Sequence, residues 1–77
     1  MKDLYTFLKQ LSDNAYNGRE FLLAYALDGW LETGHSSTTE AMGELELLLK
    51  QYKNGTNAVV NQQVEECLRF VNEWFHK

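Results

Sequence analysis

The chain predicts an all-α fold: a small four-helix bundle, mostly antiparallel, with short loops. Three observations predict it. Apolar residues recur at steps of three and four, short polar breaks interrupt them, and the 77 residues include no proline. Steps of three and four place side chains on one stripe of a 3.6-residue helix, and such a stripe is stable only when buried against another element. Without proline, helices run uninterrupted. A chain of 77 residues is one domain, 1–77, and a domain this small hides only about 60% of the surface its unfolded form exposes.

The first helix is expected at 2–13, with Leu4, Phe7, Leu8 and Leu11 inward and Ala15 continuing the stripe. Asn14 to Gly18 reads as the first break, with Tyr16 inside it and packing over the helix end. The second helix is expected at 19–33, capped by Asn17 with Glu20 reaching back in a capping box. Residues 21–27 are consecutively apolar. A helix apolar almost all round is buried on most sides, which places this one at the centre of the bundle. Gly34 suits a left-handed C-terminal cap.

Ser37-Thr38-Thr39-Glu40 is a second capping box and opens a third helix at 37–53. Its apolar set is Ala41, Met42, Leu45, Leu48, Leu49 and Tyr52, and Glu46 and Lys50 form a favourable pair four apart. Gly43 costs about 1 kcal/mol relative to Ala in a helix interior, and is expected to mark a close approach between helices. Lys53-Asn54-Gly55 ends the helix; a tight Asn-Gly hairpin does not fit the helical period of its flanks. The fourth helix is expected at 58–75, capped by Asn57 or Thr56. Val59 and Val60 alone would suit a strand. The stripe of Val60, Val64, Cys67, Leu68, Val71, Trp74 and Phe75 favours helix, with Phe70 and Trp74 on its flank.

Composition excludes more functions than it names. The net charge is −4, with acids spread along the whole chain. That argues against nucleic acid, which requires a basic footprint, and against anionic membranes. A basic protein surface is the natural electrostatic partner. Cys67, the single cysteine, forms no internal disulfide and reads as a small buried hydrophobe. The N-terminal residues lack a signal-peptide pattern, and the longest apolar run has seven residues against the roughly 20 that a membrane span needs. A cytoplasmic setting follows, in which Asn54-Gly55-Thr56 is a turn rather than a glycosylation acceptor.

No catalytic constellation emerges. His35 falls in a turn and His76 is penultimate, each without an obvious partner, and Cys67 is distant from both in sequence. There is no glycine-rich phosphate loop and no Cys/His zinc spacing. The chain is expected to be no enzyme and to carry no cofactor and no metal. A helix-turn-helix reading of the second and third helices fails because Glu40, Glu44 and Glu46 would repel phosphates.

One cluster remains. Asp28 and Glu32 close the second helix, Glu40 and Glu44 open the third, and His35 lies between them. A di-metal carboxylate site would need Glu-x-x-His motifs, which are missing. Like charges four apart cost a few tenths of a kcal/mol each, and an acid at a helix C-terminus is disfavoured. Tyr25 adds an aromatic one turn before Asp28. Tyr25, Asp28, Glu32, Glu40 and Glu44 are therefore the candidate partner-binding residues. The competing account is a solvated, solubilising acidic rim. The predicted function is an acidic protein–protein interaction module of the inhibitor, immunity or regulator type. The alternative is a self-associating homodimeric protein using the flank aromatics Tyr5, Phe70 and Trp74.

Overall fold

In the computed structural model, which describes residues 4–53, 55 and 57–76, the chain folds into four helices. These are α1 (Leu4–Asn17), α2 (Phe21–Glu32), α3 (Thr38–Tyr52) and α4 (Ala58–Phe75). The expected beginning of α1 at residue 2, the Asn54 of the third break and the alternative cap Thr56 lie outside the described residues. Among the described residues no helix is long and apolar enough to cross a membrane.

The helices close into a ring. Each packs on its neighbour in sequence and α4 returns to α1, leaving α1 and α3, and α2 and α4, on the diagonals. Opposed directions are visible in the pairings. Asn14 near the end of α1 meets Gln63 near the start of α4, whereas Leu4 and Phe7 share a groove with Cys67 and Phe70. Likewise Trp30 at the end of α2 reaches Ala41 at the start of α3, while Leu22 and Leu23 share a cleft with Gln51 and Tyr52. The centre is filled from all four helices: Leu8, Leu11 and Ala15; Leu23, Ala24 and Leu27; Met42, Leu45 and Leu49; Val60, Val64, Cys67 and Val71. Burying each large aliphatic side chain contributes about 1.5–3 kcal/mol.

The α1–α2 junction departs from expectation. Asn14 to Asn17 is the last turn of α1, not a break, and Tyr16 is helical. The amide of Glu20 donates to the carbonyl of Ala15 at 2.7 Å, and that of Arg19 to Tyr16 at 3.1 Å. These are the two bonds of a Schellman motif, whose C′ residue takes a left-handed conformation and is usually glycine. Here it is Arg19, at φ 64°, with Gly18 one position earlier. With Asn17 still helical, the expected Asn17/Glu20 capping box does not form. Glu20 occupies the N-cap of α2 without a side-chain cap bond, and its carboxylate accepts the Asn57 amide instead. The carboxylate also lies where a side chain on Gly55 would stand, so the α1–α2 and α3–α4 connections are tied together.

The other ends are closer to plan. Ser37 caps α3 by accepting the Glu40 amide at 3.1 Å, and Asn57 caps α4 by accepting the Val60 amide at 3.1 Å. Asn61 bonds Gly55 through both its amide groups, holding the loop before α4. The Glu46–Lys50 pair forms at 3.8 Å. Gly34 does not cap α2 in a left-handed conformation; Thr33 ends that helix in an extended one. Gly43 marks no close approach, since a methyl there would meet nothing within 4 Å.

The largest correction concerns α2, which is not central. In a ring of four, every helix keeps one face in solvent. Phe21, Leu22 and Tyr25 occupy that face of α2 and are 45%, 69% and 60% exposed.

Candidate functional site

The outward face of α2 combines aromatic and acidic side chains. Steps of four, three and four place Phe21, Tyr25, Asp28 and Glu32 on one stripe, with Leu22 beside it. Helix α1 adds Tyr16, whose ring stands edge-on to Tyr25 at 5.7 Å between centroids and tilted against Phe21 at 6.3 Å. Three rings thus form one partly solvated cluster, in the offset and edge arrangements that aromatic quadrupoles favour.

Asp28 anchors the acidic end. Its carboxylate accepts from the buried Ser12 hydroxyl at 2.6 Å and from the Tyr16 phenol at 3.1 Å. Both donors are neutral. They satisfy the oxygens and leave the negative charge uncompensated. No Lys or Arg pairs with Asp28, Glu32 or Glu40 among the described residues. The Tyr16 phenol is pushed above the usual tyrosine range. Loss of solvent is the first cause, followed by the bond to Asp28 and the charges of Asp28, Tyr25 and Glu32.

The five residues expected to form one rim fall into two groups. Asp28 faces α1, and Trp30, about 200° round the helix, faces α3 through its indole bond to the Ala41 carbonyl at 2.9 Å. Tyr25, Asp28 and Glu32 therefore share one side of α2. Glu40 and Glu44 stand on α3, on the other side. Glu40 is exposed. Glu44 is tied to His35, Oε2 to Nδ1 at 2.9 Å, the partner that sequence reasoning did not find for this histidine.

His35 is a strut. Its Nε2 faces the Trp30 carbonyl at 3.2 Å and its ring lies against the Trp30 indole at 5.1 Å. Both ring nitrogens thus meet acceptors, so the doubly protonated ring serves both and the neutral ring serves one. Neither nitrogen is left for a substrate. Cys67 is buried in the core, and burial pushes its thiol up to about 12. No group of three metal-ligating side chains forms among the described residues.

The three aromatics expected in self-association are also divided. Phe70 and Trp74 are half-buried against the core, with Trp74 edge-on to Phe75 at 5.1 Å. Phe70 joins Leu4 and Phe7 in the α1–α4 groove. Tyr5 shares its face of α1 with Ser12 and Tyr16, the residues that meet α2. Sequence reasoning overlooked Tyr16, Phe21 and Leu22 as surface residues. Two signals were present: the i, i+4 spacing of Phe21, Tyr25 and Gly29, and the fact that the other face of α2 already holds Leu23, Leu27 and Leu31.

No protein-family model, no curated protein and no solved structure matches this chain.

Proposed function

We propose that this chain is a small, non-catalytic interaction module that binds a basic surface of another protein, in the manner of an inhibitor, an immunity protein or a regulator. The observation that carries the reading is the α2 stripe, where exposed Phe21, Leu22 and Tyr25 run into Asp28 and Glu32 with no cation paired to them among the described residues. Aromatics supply contact area at low entropic cost, and carboxylates select and steer a Lys- or Arg-bearing partner. Glu40 extends the negative surface on the α3 side, and the net charge of −4 disfavours acidic partners.

Glu32 is the informative residue. It sits at the negative end of α2, four residues after Asp28, where a base would be more stable by about 0.3–0.5 kcal/mol. Reversing it therefore does not threaten the fold. The test is affinity capture with the tagged wild type and with Tyr25→Ala/Glu32→Lys. Circular dichroism is expected to be unchanged, and a stoichiometric basic partner is expected with the wild type only. Equal recovery of that partner by both proteins would remove the reading.

A second reading has one observation in its favour. The α1–α4 groove, about 260 Å³ and lined by Leu4, Phe7, Cys67 and Phe70 with Glu66, is an apolar surface that a homodimer would cover. Light scattering showing a monomer at high micromolar concentration would exclude it.

A further inference from the structure

The cleft beside the aromatic stripe narrows the class of partner. It opens between the start of α2 and the end of α3, holds about 330 Å³, and is lined by Phe21, Leu22, Leu23 and Tyr52 together with the oppositely charged Arg19 and Glu20. That is more than twice the roughly 150 Å³ in which a buried apolar cavity accommodates benzene. One large apolar side chain fits it. Phe21 and Leu22 belong both to the cleft and to the exposed face, so cleft and stripe are one continuous surface.

The charges on this surface are separated along the helix. Arg19 and Glu20, of opposite sign, stand at the cleft end, and Asp28 and Glu32, both negative, at the far end. The axial rise from Leu22 is about 9 Å to Asp28 and about 15 Å to Glu32. Between them Gly29 is open, with nothing within 4 Å of where a side chain would begin, so another backbone can lie close to α2 there.

We infer that the partner meets α2 with an amphipathic helix bearing an apolar anchor for the cleft and a Lys or Arg about seven residues, two turns, further along for Tyr25, Asp28 and Glu32. This rests on the preceding reading and specifies its partner. Arg19 and Glu20 offset each other at the cleft end while Asp28 and Glu32 attract a base at the other, so charge favours one direction for the helix. A base above the exposed Tyr25 ring gains a cation–π contact in addition to the carboxylates. The net charge of −4 opposes a second copy of the chain as occupant.

The experiment is selection of displayed random 16-residue peptides against the wild-type protein, followed by affinity measurement on a synthetic copy of the most enriched peptide. The expected consensus is an apolar residue with Lys or Arg six to eight positions away. Tyr25→Ala and Glu32→Lys are each expected to weaken binding at least 10-fold, and Glu40→Lys less than two-fold. Equal weakening by Glu40→Lys and Glu32→Lys would overturn the inference. So would a peptide whose affinity survives scrambling but not high salt, although the broader reading would then stand. Enrichment of acidic or wholly apolar peptides would overturn both.

Discussion

Three residues carry chemistry that can be tested singly. Arg19 holds a left-handed conformation at φ 64°, which costs an L-residue about 1–2 kcal/mol and costs glycine almost nothing. Arg19→Gly is expected to stabilise the fold by about 0.5–1 kcal/mol after the added freedom of the unfolded chain is subtracted, and Arg19→Ala is expected not to; urea midpoints compare the two. Asp28 satisfies the buried Ser12 hydroxyl. Asp28→Ala leaves that donor without its carboxylate and is expected to cost about 1–3 kcal/mol, seen as a lower midpoint at unchanged helicity. Asp28 therefore serves structure and surface charge together, and Glu32 is the cleaner probe of binding. Burial pushes the Cys67 thiol up to about 12 in the folded chain, from about 8.5 for an unperturbed thiol. Because the folded pKa is the raised one, the stability it contributes is complete below about pH 8.5 and is lost as pH climbs from there toward 12. At pH 8 a disulfide reagent is expected to label Cys67 only as fast as the protein opens; immediate labelling would show an accessible thiol.

At the scale of the helices, periodicity was legible and termini were legible only where a side chain caps. Ser37 and Asn57 announce α3 and α4 because their oxygens accept the amides three residues on. The end of α1 was hidden because its stop is a backbone motif whose left-handed position holds Arg19, and a glycine one residue early advertises the wrong place. Glu20 was hidden for a different reason: its partner is Asn57, 37 residues away, which no local pattern reports. The same limit applied to His35, whose carboxylate partner is brought in by the α2–α3 corner. In α2 a run of seven apolar residues concealed a helix that is buried on one face only, since Leu23, Ala24 and Leu27 suffice to fill that face. The remainder, Phe21, Leu22 and Tyr25, was left for the surface. Gly43 gives the matching prediction on α3. It lies in a helix interior with open space where a methyl would go, so Gly43→Ala is expected to raise stability by about 1 kcal/mol. A loss on chemical denaturation would show that another element needs the space.

For the molecule as a whole, the ring of four helices accounts for the division of labour. The aliphatic seams close on one another, and the two-helix corner of Trp30, Ala41, His35 and Glu44 holds α2 to α3. Ser12, Tyr16 and Asp28 hold α1 to α2. Between these braces lies the outer face of α2, aromatic at one end and anionic at the other. A preformed surface of that kind spends little entropy on association, and its charge makes association faster at low salt. Adding the selected basic peptide to isotopically labelled protein and following each backbone amide by NMR tests this most directly. The account predicts that the largest shifts cluster at Tyr16, Phe21, Leu22, Tyr25 and Glu32 and vanish in Tyr25→Ala/Glu32→Lys. Shifts centred on Leu4, Phe7 and Phe70, or on Glu40, would contradict it.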